Sequence, residues 1–170
     1  AEYARRGFFE LVFVTLLVLP LLLGVDWLLR NASVPSRSVV RALSGVQVAL
    51  VLAIAASAYQ RMRAYQEAYG MTEDRLYATT LLLVLSALLV YFAGTVLRGR
   101  RRAFMPGALV ASLATVAALF VLNPDQLIAR TNIARLDDPT AVELDGRYLG
   151  RLSGDAVPVV LAALPQLPAG

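Results

Sequence analysis

The chain has 170 residues, 58% of them hydrophobic and 16% charged, with a mean hydropathy of +0.64 and a formal net charge of +4. A soluble domain carries about a quarter charged residues and under half apolar ones, so these values exclude disorder and argue against an ordinary soluble enzyme domain. All sixteen basic residues are arginine, and histidine, cysteine and lysine are absent, which excludes thiol and lysine nucleophiles, disulfides, thiolate metal sites and histidine acid–base chemistry on this chain.

A bilayer core of about 30 Å takes roughly 20 apolar residues in helix. The first such run extends over Phe8–Leu29, with Glu10 and Asp26 near its ends. It contains Pro20 and Gly24, which membrane helices tolerate, and a kink is expected one turn before Pro20. No signal peptide is recognisable, because the run is long and closes on Trp27 and Arg30 rather than on a small-residue cleavage site. Asp26 stands four residues before Arg30, a spacing that puts both on one helix face as an i,i+4 pair at the membrane exit. Asn31–Ser38, with Pro35 among asparagine and serines, reads as a loop.

The second run is uncharged over residues 42–60, and good helix formers continue without Pro or Gly to Tyr69. A helix over 42–69 would be about 42 Å long, longer than the bilayer core, so the segment is expected to project from the membrane. Gly70 reads as a helix stop, and Thr72-Glu73-Asp74 as the capped, acidic start of the next helix. Arg61, Arg63, Tyr65 and Tyr69 lie on this projection. They read as an interfacial aromatic belt with snorkelling arginines, with a ligand site as the alternative.

The third run, uncharged over 76–97, is joined to the fourth, 104–123, by Arg98-Gly99-Arg100-Arg101-Arg102. So short a cluster lacks the length and interleaved aromatics of a nucleic-acid patch, and Arg98, Arg100, Arg101 and Arg102 read as a topology signal facing anionic lipid. On this reading residues 30–41 and 98–102 face the cytoplasm. Asn123-Pro124-Asp125 then restarts a helix, with Asn123 as cap and Pro124 in the first position. The helix is expected to reach Leu136 and to lie along the membrane surface, with Asp125, Arg130 and Asn132 as candidate surface groups. Beyond Asp137-Asp138-Pro139 come two short helices, near 148–152 and 156–164, in a tail too small for its own core.

The expected fold is therefore all-α: a polytopic membrane protein with four transmembrane helices in one bundle (about 8–29, 42–60, 76–97 and 104–123, within residues 1–124), followed by an interfacial helix and a small helical soluble tail (125–170). Three stretches taken together, AEYARRGFFEL (1–11), AYGMTEDRLYA (68–78) and LNPDQLIARTNIAR (122–135) with LDGRYLGRLSGDAVPVVLAALP (144–165), resemble a group of bacterial multi-pass membrane proteins, domain of unknown function 4173 with its relative 4153. The resemblance implies a bacterial cytoplasmic (inner) membrane location and further transmembrane helices ahead of Ala1. It carries over no activity, cofactor or catalytic residue. The leading functional reading is a non-catalytic anchor, scaffold or sensor module, with the lipid bilayer and further membrane helices or subunits as partners, no nucleic acid and no cofactor. Transport of a small solute or ion is the alternative, resting on Glu10, Asp26 and Gln47 in or near spans. An enzyme on a lipid-linked substrate, using Asp125, Arg130 and Asn132, is a third.

Overall fold

The structure is a computed structural model that describes residues 13–14, 16–25, 27, 34–135 and 146–164, and, for 34–37, the backbone alone. Every described element is helical. In chain order they are α1 (Leu16–Val25), α2 (Val34–Tyr69), α3 (Glu73–Thr95), α4 (Arg101–Leu122), α5 (Pro124–Ile133), α6 (Gly146–Leu149), a single 3₁₀ turn (Gly154–Ala156) and α7 (Val157–Ala163).

Three of these helices, not four, are long and apolar enough to cross a membrane: α2 from Ser38 on, α3 and α4. The first expected span is represented among the described residues by the ten-residue α1 alone, which runs through Pro20 without a break in its helical backbone. Asp26 and Arg30 lie outside the described residues, so their expected pairing does too.

The loop expected up to Ser38 is also corrected, because α2 begins at Val34. Pro35 sits in its first turn, where an amide N–H has no helical partner to lose and the fixed φ suits the helix. The serine- and proline-rich letters that suggested a loop therefore belong to a helix start. At 36 residues, α2 is about 54 Å long, more than one bilayer core.

The chain divides into two compact units, one formed by residues 1–59 and 80–114, the other by 60–79 and 115–170. In the first, Val18 and Leu22 of α1, Val48 and Val51 of α2, Leu89 and Phe92 of α3, Val96 of the turn after α3, and Phe104 of α4 form one buried apolar cluster. The spacing explains the meeting. Buried positions on α2 fall at 44, 48, 51 and 55, and on α3 at 82, 85, 89 and 92, the three–four alternation that keeps one helix face on its neighbours.

α3 ends in a Schellman turn. The Arg100 N–H reaches the Thr95 carbonyl at 2.7 Å and the Gly99 N–H the Val96 carbonyl at 2.9 Å, with Gly99 at φ 83°. The turn is so short that α4 starts at Arg101, which puts Arg101 and Arg102 of the basic cluster in a helical first turn and leaves Arg98, Gly99 and Arg100 in the connection. The Arg41 guanidinium lies near the same turn, 3.9 Å from where a side chain on Gly99 would begin.

Pro106 stands inside α4, where it cannot donate to the Arg102 carbonyl and its ring crowds that turn. The neighbouring carbonyl is bonded from α3: the Tyr91 hydroxyl donates to the Ala103 carbonyl at 2.8 Å, its ring stacked on Phe104 at 5.9 Å, while Phe92 meets Phe104 edge-on at 5.7 Å. Gly107 makes room for this, because a Cβ there would fall on the Tyr91 phenol. Beyond Phe104, α4 buries no residue and turns Leu109, Val110, Leu113, Val116, Phe120 and Val121 outward. A helix so apolar beyond its first turn, and so uncovered, fits lipid better than water.

Candidate functional site

The polar residues of the second unit gather where α2 turns into α3. The turn is built on Gly70, at φ 79°, whose N–H donates to the Gln66 carbonyl at 2.9 Å and closes α2 in a left-handed cap. A helix end leaves its last four carbonyls without helical partners. Here arginines supply several: Arg135 donates to the Glu67 carbonyl, and Arg75 to the carbonyls of Tyr69 (3.0 Å) and Gly70. The Arg75 guanidinium also lies over the Tyr65 ring, 4.5 Å from its centre, and Tyr65 touches Tyr69 at 4.7 Å between ring centres.

Asn132 is buried and faces the turn from α5. Its side-chain N–H donates to the Met71 carbonyl at 2.8 Å, and its oxygen accepts the Met71 N–H at 2.7 Å. The carboxamide thus pairs with one residue's backbone as a neighbouring strand would. This contact also explains Gly70 a second way, since a Cβ there would lie 2.8 Å from the Asn132 oxygen. Buried Gln66 closes the inner side, donating to the Thr79 hydroxyl at 2.8 Å.

The start of α3 is met from the tail. Glu73 donates its backbone N–H to the Tyr148 hydroxyl at 2.9 Å, satisfying an amide that the helix itself cannot. Burial pushes the Tyr148 hydroxyl above its ordinary pKa; the bond from Glu73 opposes this, and the carboxylates of Glu73, Asp125 and Asp74 reinforce it. Asp125, in the first turn of α5, accepts the Ser153 N–H at 3.0 Å and so ties the tail to α5. Behind these bonds Ala129, Leu149 and Ala156 form a small apolar core with Ile133, Leu152, Val159 and Val160 around it.

The expected site residues therefore divide. Tyr65, Tyr69, Asp125 and Asn132 take part in this cluster. Arg61 and Arg130 are exposed, and Arg63, which the sequence placed among the arginines of the projection, forms an exposed i,i+4 pair with Glu67 at 3.1 Å. The Asn-Pro-Asp restart occurs as expected, with a different cap: Asn123 adopts a left-handed conformation (φ 54°) and makes no side-chain cap. α5 ends at Ile133, short of the expected Leu136, which lies outside the described residues. The first tail helix covers 146–149 rather than 148–152, and the second opens with the 3₁₀ turn at Gly154. Gln66, Met71, Arg75, Thr79, Arg135 and Tyr148 were not singled out by the sequence. Tyr148 alone carried a signal, as the one aromatic residue after Phe120.

Chemically, the arrangement holds backbone together: its amides, hydroxyls and guanidinia are spent on carbonyls and N–H groups. Among the described residues, no group of three or more Asp or Glu is placed to hold a metal ion. Among the described residues these features define an all-helical architecture with three helices long and apolar enough to cross a membrane and a polar clasp at one inter-helix turn. The chain belongs to the family Domain of unknown function (DUF4153), whose model matches residues 1–163. The sequence resemblance thus falls on the relative, 4153, and not on 4173. No curated protein matches the chain, and no solved structure does.

Proposed function

We propose that this chain is a non-catalytic membrane module of a larger bacterial cytoplasmic-membrane protein or complex, in which the α2–α3 turn holds α5 and the tail together as one fixed helical layer. The observation that carries this reading is the bidentate pairing of buried Asn132 with the Met71 backbone, 61 residues away in sequence. Asn132, Arg75, Arg135, Tyr148 and Asp125 all bond backbone groups here. That is the economy of a scaffold or a relay, where position matters and turnover does not. Further membrane helices, of the same protein or of other subunits, are the partners it would serve.

The test uses the full-length protein in lipid nanodiscs, read by hydrogen exchange. Residues 146–164 should exchange slowly in the wild type. They should exchange fast in an Asn132→Leu, Tyr148→Phe double variant whose spans remain protected. Fast exchange of the tail in the wild type would overturn the reading. So would a solute or ion flux in proteoliposomes that Asp26→Asn abolishes, an outcome that would assign the chain to transport instead.

A further inference from the structure

The stretch Ala156–Leu164 reads AVPVVLAAL, without one charged or hydrogen-bonding side chain. Its inward residues are accounted for: Ala156 and Ala163 are buried, and Val159 and Val160 pack on the small core with Ala129 of α5 and Leu149 of α6. Its outward face is not. Val157, Leu161 and Leu164 are 49%, 58% and 53% exposed, and Pro158 and Ala162 beside them are exposed too. Positions 157, 161 and 164 recur at the spacing of one helix face, so they form a stripe about 10 Å long at 1.5 Å per residue. A helix that is apolar all round is one that is covered all round.

What covers it follows from the chain path within the same unit. α4 carries its outward apolar face to its last turn, with Phe120 87%, Val121 81% and Leu122 57% exposed. Asn123 alone separates it from α5. The lipid boundary along α4 therefore falls at the start of α5, with no linker to carry α5 away from it. α7 and its 3₁₀ turn pack directly on α5, which keeps α7 within about one helix diameter of that boundary. The nearest charges along the chain, Arg147, Arg151 and Asp155, are all exposed and all precede Ala156, so the stripe can enter lipid without taking a charge with it.

We propose that the Val157–Leu161–Leu164 face of α7 docks onto the bilayer interface, making the tail a membrane-surface element rather than a soluble one. The proposal rests on the reading of α4 as a span. This chain has no cysteine, so once any cysteine elsewhere in the full-length protein is replaced, single cysteines report cleanly. Leu161→Cys, Val157→Cys and Leu164→Cys, with Leu113→Cys on α4 as reference, would be spin-labelled in full-length protein in vesicles of mixed neutral and anionic phospholipid. Collision rates with oxygen and with a water-soluble nickel chelate are then compared.

The expected result is oxygen access exceeding nickel access at all three α7 positions, with a smaller contrast than at Leu113. Nickel access exceeding oxygen access at α7, with Leu113 in lipid, would overturn the proposal and leave the tail in water. Low access to both reagents would overturn it in favour of a protein cover. Nickel access at Leu113 itself would instead sink the reading of α4 as a span. Circular dichroism of each labelled variant guards against a fold lost to the substitution, and agreement among the three positions is required.

Discussion

Asn132 makes two hydrogen bonds to one backbone residue from a buried position, and the loss of either partner strands the other. Leaving a buried donor or acceptor without a partner costs about 1–3 kcal/mol. Asn132→Leu keeps the volume and removes both bonds, so the clasp should weaken by about 2–6 kcal/mol on that scale. The expected readout is tryptic cleavage in residues 146–164 at protease levels that spare the wild type. Unchanged cleavage would show that the apolar core around Ala129 and Leu149 suffices. Tyr148 offers a second, pH-dependent handle. Its pKa is raised in the folded state, so the folded chain holds that proton more tightly than the unfolded chain. The stability it contributes is complete below the unfolded tyrosine value of about 10 and is lost as pH rises from there through the folded value. Docking of the tail should therefore be insensitive to this group at neutral pH and should loosen in alkali. An ultraviolet absorbance titration, wild type minus Tyr148→Phe, should isolate one tyrosine ionising above the ordinary range. A difference curve centred at or below about 10 would contradict this.

At the scale of the element, Gly107 lets Tyr91 of α3 reach the first turn of α4. Gly107→Ala places a methyl on the Tyr91 phenol, which must swing away and release the Ala103 carbonyl. Within a membrane such a carbonyl has no water to turn to. A lowered melting temperature in detergent, largely reproduced by Tyr91→Phe and not worsened in the double variant, is expected; additive losses would show that the two residues act separately. The helices themselves were legible in the letters because run length and punctuation are local signals: Gly70 stops α2, and Asn123-Pro124 restarts the chain as α5. Pro35 and Ser36 misled because the residues that make loops are also those that start helices. The clasp was not legible, since Asn132 lies 61 residues from Met71 and Tyr148 lies 75 from Glu73, and polar letters in a surface segment look the same with or without a distant backbone partner. Arg75 was hidden for another reason. Its guanidinium caps α2 while its own backbone belongs to α3, a role that helix periodicity does not encode.

For the whole molecule, three helices that each cross would put successive connections on alternate sides of the membrane, and arginine placement would set which side is which. α3 and α4 are joined at Arg98–Arg100 and Arg41, in the N-terminal part of α2, lies near that turn, whereas the α2–α3 turn and α5 follow the opposite helix ends. Orientation is governed by arginine and lysine in short loops, and acidic residues contribute little. Arginine is plentiful at both ends: Arg61, Arg63 and Arg75 flank one, while Arg98, Arg100, Arg101 and Arg102 crowd the other within five positions. Four guanidinia packed into five positions would have to cross together, at about 2.5–3.5 kcal/mol each on the insertion scale. The Arg98–Arg102 turn is therefore expected in the cytoplasm, with the clasp and tail on the far side. Reporter fusions after Gly99 and after Gly150 test this, as does labelling by a membrane-impermeant maleimide in whole cells. An Arg61→Cys variant should react from outside, an Arg100→Cys variant only after the cells are opened, and a Leu50→Cys variant, inside the apolar run, in neither state. Labelling of Arg100→Cys in intact cells would reverse the orientation while leaving the shared sidedness of the connections in place. Labelling of Leu50→Cys before detergent is added would instead refute the span assigned to α2.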